Sequence, residues 1–253
     1  MTTIVGIKSN DGVVLASDSL FTTDVTKALG SKIFKVNDSI ALGISGRMDQ
    51  MESLFEDLEK KLKDNTYNSK DDFESAVLDV SFALHKRYNL KWSEELGRDI
   101  IIFKPESILC VRIGNKKYFL YRLTFNPDPW LIPLKVYDTI GSGQLFANLV
   151  LRQQSRPPAS DNKTFSDLPL EFNLWIACLT LAEIKAFDRN SGGFTKVALL
   201  TENEVRLPPD KSIRGYYNII VNSISTTFGE KLRTNGDKEE IERLLRDIFP
   251  KDE

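Results

Sequence analysis

Three pairs of short apolar runs, each joined by a turn of only a few residues, constrain the fold of this chain most strongly. The turns fall at Asp11-Gly12, Asn37-Asp38 and Glu202-Asn203. Turns this short connect antiparallel strands, whereas parallel strands need a crossover of a dozen or more residues. The middle of the chain adds the strand-like runs "RDIIIFKP" and "KKYFLYRLTF". The sequence therefore predicts antiparallel sheets rather than a doubly wound parallel sheet.

Apolar residues recur at helical spacing in segments inserted between these strands. Two consecutive amphipathic helices are predicted from residues 49 and 70 onward, with a break at Asn68-Ser69. A second pair comprises "SGQLFANLVLRQQ" and "SDLPLEFNLWIACLTLAEIKAF", in which Ser166 and Asp167 are candidate N-caps. Near the end, "RGYYNIIVNSISTTFGEKL" is compatible with a helix or a strand, and "KEEIERLLRDIF" predicts a short charged helix.

The order of these elements defines a fold class. Strands, two helices, strands, two helices and strands suit an α+β fold in which two antiparallel sheets stack face to face, each covered by helices. We expect this four-layer αββα sandwich to be one domain over residues 1–212. Residues 213–253 are expected to form a helical extension, packed on the same domain or on a neighbouring subunit.

Composition excludes several classes of partner. The 34 basic and 36 acidic residues nearly cancel, so we expect no binding to nucleic acid or to a membrane surface. No apolar run is long enough to span a bilayer. Cys110 and Cys178 lie in apolar surroundings without metal-ligand spacing, which favours buried thiols in a reducing compartment. The protein is therefore expected to be cytoplasmic.

The single histidine, His85, limits the available chemistry. A Ser-His-Asp relay or a multi-histidine metal site would have to run through it alone, and its place on a helical face favours a structural role. The nucleophile elbow, the phosphate-binding loop and the zinc-protease motif are all missing from the sequence. We expect neither a metal nor another cofactor.

Small polar residues next to glycines lie at the ends of the predicted strands and helices. They occur in "LASDS", "LGSKIFK", "LGISGR", "TIGSGQ" and "FDRNSGGF". Taken singly, each has a structural explanation: Asp18 ends a strand, Ser142 caps a helix, and Gly192-Gly193 stops one. Their joint order along the chain is more informative.

In that order, these segments resemble the proteasome-type threonine hydrolases, an N-terminal-nucleophile family that includes proteasome β subunits. The segments similar to the family's motifs are "TTIVGIKSNDGVVLASDS", "SKIFKVNDSIALGISG", "TIGSG" and "DRNSGG". The resemblance covers residues 2–50 and 136–210. It implies the family's four-layer sandwich and an active site in which Thr2, exposed by removal of Met1, is the nucleophile.

The resemblance also implies a role for each matching residue around Thr2. The implied set is the ion pair of Asp18 and Lys32, the oxyanion donor Gly46, and the hydrogen-bonding shell of Ser142, Asp188 and Ser191. Thr22, Ile44 and Met48 are our candidates for the substrate-binding edge and an apolar side-chain pocket.

Elementary chemistry supports an N-terminal threonine as a nucleophile. Its hydroxyl needs a base within hydrogen-bond reach, and a free α-amino group with a reference pKa of about 7.7–8.0 can accept that proton near neutral pH. A nearby lysine cation would lower the pKa of this amine further. Lys32 and Lys35 are expected on opposite faces of their strand, and Lys32 matches the motif.

These observations favour a threonine peptidase that cleaves unfolded polypeptides. The resemblance implies a ring-shaped homo-oligomer with an ATP-driven unfoldase as a partner. Two alternatives stay open at this point. One is an amidase or acyl-transferase that acts on a small substrate at the same site, and the other is a non-catalytic ring subunit, particularly if Met1 is retained.

Overall fold

The computed structural model describes residues 2–22, 27–96, 101–114, 117–154, 164–187, 191–225 and 243–249. The strands are, in chain order, β1 (Thr3–Lys8), β2 (Val13–Asp18), β3 (Leu20–Thr22), β4 (Lys27–Leu29), β5 (Ile33–Asn37), β6 (Ile40–Ser45), β7 (Glu106–Ile113), β8 (Lys117–Phe125), β9 (Pro129–Leu134), β10 (Tyr137–Gly141), β11 (Thr195–Leu200) and β12 (Val205–Arg206).

The helices are α1 (Met48–Leu62), α2 (Lys70–His85), α3 (Lys91–Leu96), α4 (Gln144–Gln154), α5 (Leu170–Phe187) and α6 (Asp210–Ser225). A π-helical turn, Lys86–Leu90, joins α2 to α3, and a 3₁₀ turn, Phe165–Asp167, precedes α5. Residues 243–248 are also helical. No helix in the described ranges is both long and apolar enough to cross a membrane.

Two five-stranded sheets form the centre of the molecule. The first has the order β10-β1-β2-β11-β12 and the second the order β5-β6-β7-β8-β9, and every paired strand is antiparallel to its neighbour. Short turns keep the strands of each hairpin adjacent, so the predicted antiparallel architecture is confirmed.

Side chains along β1 and β2 point alternately to the two faces of the first sheet, and each face packs against a different layer. Ile4 and Leu15 belong to the core between the two sheets, whereas Val5 and Ala16 face the core shared with α4, α5 and α6. On the far side, the second sheet packs against α1 and α2. The order of layers is helices, sheet, sheet, helices, as the sequence predicted.

Strand register brings several chain segments together at one end of the first sheet. Thr3 pairs with Gly141 on β10, and Asp18 at the end of β2 pairs with Thr195 at the start of β11. Residues far apart in sequence therefore meet beside the first residues of the chain.

Two local predictions were wrong, both because distant side chains replace local signals. Helix α5 begins at Leu170, whose N–H donates to Asp11 Oδ1 at 2.9 Å, whereas Ser166 and Asp167 lie in the preceding 3₁₀ turn. The predicted strand "RDIIIFKP" is not a strand over residues 101–105, and its first part lies outside the described residues.

Side chains satisfy the backbone of residues 101–105 instead of a sheet. Asn89, in the π-helical turn, accepts from the N–H groups of Ile102 and Phe103 at 3.0 and 2.7 Å and donates to the Phe103 carbonyl at 2.9 Å. Gln50 donates to the Ile102 carbonyl at 2.6 Å. With its polar groups bound to helices, this segment has no need of a neighbouring strand.

The chain end contributes to the core on the α5 side. Tyr216 and Ile220 of α6 and Leu244 and Ile248 of the last helical segment are buried in the same cluster as the helix-facing side of the first sheet. At Gly215, an added Cβ would lie 3.0 Å from a Leu244 methyl group, so the absence of a side chain permits this close approach.

Candidate active site

Thr2 lies directly ahead of β1 and is only 4% exposed. Its N–H donates to Ser142 Oγ at 3.2 Å, and its carbonyl accepts from Ser142 Oγ and from Gly143 N, both at 3.4 Å. By alternation along the strand, Thr2 shares the face of Ile4 between the two sheets. The turn before α4 therefore fixes the backbone of Thr2.

Asp18 and Lys32 form a buried ion pair beneath this backbone. Asp18 Oδ1 lies 2.9 Å from Lys32 Nζ, and neither side chain is exposed. The same oxygen accepts from Thr3 N at 2.9 Å. Lys32 also donates to the Leu20 carbonyl at 2.6 Å and lies over the Phe21 ring. One carboxylate oxygen thus links the lysine cation to the Thr2–Thr3 peptide unit.

The second oxygen of Asp18 binds two further backbone groups. Oδ2 accepts from Gly192 N at 3.1 Å and from Leu20 N at 3.3 Å. A carboxylate with this many donors is held in one orientation. Lys35, by contrast, pairs with Asp38 near the surface.

Ser191 contacts the start of β1 through the side chain of Thr3. Its Oγ lies 2.8 Å from Thr3 Oγ1 in a buried hydrogen bond. Thr3 therefore binds Ser191 through its side chain and Asp18 through its N–H. Asp188, the remaining member of the predicted shell, lies outside the described residues.

Gly46 directly follows β6, the strand of the second sheet that ends at Ser45. Its φ of +149° favours glycine, and an added Cβ would lie 3.3 Å from Pro105 Cα. Ser45 Oγ lies 3.1 Å from the position that a Cβ on Gly141 would take. Ser45 therefore lies beside Gly141 and Thr2, and Gly46 packs against Pro105.

The three candidates for substrate contacts are placed differently from one another. Ile44 is fully buried in the core against α1 and α2, so it presents no side chain to a substrate. Met48, the first residue of α1, is 49% exposed. Thr22 ends β3, but its side chain lies outside the described residues.

Comparison with known proteins places this geometry in a family. The model of the proteasome subunit family matches residues 1–167. The chain belongs to the proteasome subunit family. The resemblance found in the sequence is thereby confirmed. The chain is also similar to a proteasome subunit beta from Methanococcus maripaludis (strain C5 / ATCC BAA-1333), at 25% identity over 223 residues, which cover 85% of this chain and 90% of the relative.

Sequence reasoning missed several contacts that build the site of this proteasome family member. Backbone groups make three of them: the Thr3 and Leu20 amides donate to Asp18, and the Leu20 carbonyl accepts from Lys32. The side chains of Asn89 and Gln50 make the others, by binding the segment that precedes Pro105. Backbone groups carry no signature of residue type, so only the fold identifies them. π-Helical turns such as the one at Asn89 are often found near functional sites, but the sequence "KRYN" contains no pattern that predicts one.

Gly141 provides a test of how tightly the family member holds Thr2. Its φ is +93°, and an added Cβ would overlap the Thr2 carbonyl oxygen. Gly141→Ala is expected to displace the Thr2 backbone and lower the free energy of unfolding by roughly 3 kcal/mol. Chemical denaturation measures this loss.

Gly114 offers the matched control for that substitution. Its φ is +58°, and no described atom lies within 4 Å of its Cβ position. Gly114→Ala therefore isolates backbone strain and is expected to cost about 1–2 kcal/mol. Equal losses at the two glycines would show that close packing against Thr2 contributes nothing.

Proposed function

We propose that this proteasome subunit is a threonine peptidase that cleaves peptide bonds of unfolded polypeptides. Its nucleophile is the Thr2 hydroxyl, made competent when removal of Met1 frees the α-amino group. Residues 1–212 form the catalytic domain and residues 213–253 an extension of it. The subunits assemble into a ring-shaped homo-oligomer, and an ATP-driven unfoldase supplies the substrate.

The observation that carries this proposal is the buried ion pair next to the first peptide unit. Asp18 and Lys32 are both inaccessible to solvent, and Asp18 binds the N–H that follows Thr2. Burying a charge pair is costly and contributes little net stability. Its place beneath the first residues of the chain therefore supports a catalytic use.

The proposed reaction begins with a proton transfer. The free Thr2 amine accepts the proton of the Thr2 hydroxyl as its oxygen attacks the scissile carbonyl carbon. The Lys32 cation favours the neutral amine and stabilises the developing negative charge. The protonated amine then donates to the leaving nitrogen, and the peptide's acyl part remains as an ester on Thr2.

Hydrolysis of that ester completes the cycle. Water gives a proton to the Thr2 amine as its oxygen attacks the ester carbonyl, and the Thr2 oxygen leaves with that proton, which restores the hydroxyl. In both steps the Gly46 N–H is proposed to donate to the oxyanion, a contribution that in other enzymes is worth about 2.7–4 kcal/mol. Ser142 contacts the Thr2 N and O atoms and is proposed to hold the amine in position.

The experiment compares two preparations of the same chain, one with Met1 retained and one treated with a methionine aminopeptidase. Intact mass gives the fraction of chains lacking Met1, and fluorogenic peptides give turnover. Turnover is expected to rise in proportion to the processed fraction. Because a retained Met1 converts the base into an amide, the unprocessed protein is expected to be inactive.

The same preparations separate the alternatives. A fully processed protein that hydrolyses small amides but no peptides would indicate an amidase or acyl-transferase. A protein that resists processing and cleaves nothing would indicate a non-catalytic subunit. Size measurement in solution tests assembly, because a stable monomer of 28.7 kDa would contradict a ring.

A further inference from the structure

Lys185 occupies the junction of three elements near the site without belonging to the set predicted from the sequence. It lies in the last turn of α5, where its Nζ donates to the Gly193 carbonyl and to Thr195 Oγ1, both at 3.1 Å. The ammonium group lies 4.3 Å from the centre of the Tyr217 ring on α6. A single cation therefore binds α5, α6 and the chain after Ser191 together.

The segment that Lys185 binds is residues 191–195, here called the serine turn. Gly192 N donates to Asp18, and the Gly192 carbonyl accepts from Ser19 N and Leu20 N at 3.2 and 3.1 Å. Ser191 Oγ lies in hydrogen-bond contact with Thr3 Oγ1. The serine turn thus contacts both the end of β2 and the start of β1.

Glycine makes the serine turn dependent on outside support. Gly193 has a φ of +71°, and an added Cβ would lie 2.5 Å from Ser19 Oγ. Two consecutive glycines impose little conformational preference of their own. The contacts of Lys185 with Gly193 and Thr195 supply a restraint that the turn's own sequence lacks.

An unusual electrostatic environment surrounds Lys185. Burial lowers its pKa to about 8, with Lys32 acting in the same direction, while Asp18 and Cys178 act to raise the pKa. Retaining a cation at a site that penalises it is a cost to stability. A methionine of similar length would fill the same space without that cost, so stability alone does not explain a lysine here.

We propose that Lys185 is a positioning residue for the peptidase reaction, an inference that rests on the proposed function. By binding the serine turn to α5, it keeps Gly192 against the Asp18 carboxylate. Through the same turn it keeps Ser191 against Thr3, next to the nucleophile. Lys185 does not touch the reacting atoms and acts through these neighbours.

The test uses Lys185→Met in the processed, full-length protein. Loosening the serine turn misplaces catalytic groups, so kcat for a fluorogenic peptide is expected to fall about tenfold. KM is expected to stay within about twofold, because the substitution removes no group from the substrate-binding edge. The midpoint of thermal unfolding is expected to be unchanged or higher, since a partly desolvated cation is gone.

Lys196→Met is the matched control. Lys196 lies on β11 and forms an ion pair with Asp210 of α6, so this variant also removes a lysine that contacts α6. Lys196 directly follows Thr195, but within the described residues its side chain forms no hydrogen bond with the serine turn, so kcat is expected to be unchanged. An equal fall in both variants would overturn the inference, because the loss would then reflect general damage to α6 packing.

Thr195→Val is a second variant. It removes one of the two hydrogen-bond acceptors of Lys185 and retains the shape of the side chain. It is expected to lower kcat several-fold, and the double variant Lys185→Met/Thr195→Val is expected to match Lys185→Met alone. Additive losses, or a wild-type kcat in Lys185→Met, overturn the inference. An inactive processed wild type overturns the proposed function and this inference with it.

Discussion

Replacing Thr2 by alanine is expected to abolish peptide hydrolysis and to leave the fold intact. The substitution removes the only oxygen that the free α-amino group can deprotonate within its own residue. The backbone contacts of Thr2 with Ser142 and Gly143 do not depend on its side chain. The free energy of unfolding should therefore change by no more than about 1 kcal/mol.

Thr2→Ser is the matched variant, because it keeps the hydroxyl and removes only a methyl group. Measurable turnover in Thr2→Ser and none in Thr2→Ala, at equal processing by intact mass, is the expected result. Wild-type turnover in Thr2→Ala would place the nucleophile elsewhere. Ser142 and Ser191 would then be examined first, because Ser142 contacts Thr2 and Ser191 contacts Thr3.

The fold could be predicted wherever a short turn joined two strands. At Asp11-Gly12 the turn determines which residues pair, and alternation then assigns each residue of β1 and β2 to a core. The start of α5 could not be predicted in this way, because its capping carboxylate, Asp11, is 159 residues away in sequence. Residues 101–105 were misassigned for the same reason.

Only part of the candidate site could be predicted from the sequence as well. Motif order identified Asp18, Lys32, Ser142 and Ser191, and the fold brings all four around the first two threonines. Motif order did not indicate the Thr3 amide or the Leu20 carbonyl, since nearly every residue carries these backbone groups. Motif order also did not show that the Ile44 side chain faces α1 and α2 rather than a substrate pocket. Which layer covers each face of a strand is known only from the fold.

Loss of the Lys32 cation is expected to reduce both stability and turnover. Lys32→Met leaves the Asp18 carboxylate buried without its cation, which is expected to lower the free energy of unfolding by about 3–5 kcal/mol. Peptide turnover is expected to fall to the level of Thr2→Ala, because the Thr2 amine and the oxyanion both lose their cation. Chemical denaturation and fluorogenic peptides measure the two effects separately.

Lys35→Met is the control, at a lysine three residues further along the chain. Lys35 pairs with Asp38 three residues away in a partly exposed ion pair. Such pairs contribute little, so the loss of stability is expected to stay within about 0.5 kcal/mol. Turnover should be unchanged, which would show that the effect of Lys32→Met is specific to the buried cation.

The double variant Asp18→Asn/Lys32→Met separates stability from function. Because it removes both buried charges, its stability loss is expected to be smaller than the sum of the single losses by about 1–3 kcal/mol. Its turnover should nevertheless stay as low as that of Lys32→Met, since neutralising Asp18 does not replace the missing cation. A stable but inactive protein would mean that the pair is retained for chemistry. Additive stability losses would instead show that Asp18 and Lys32 act independently and that their contact is incidental.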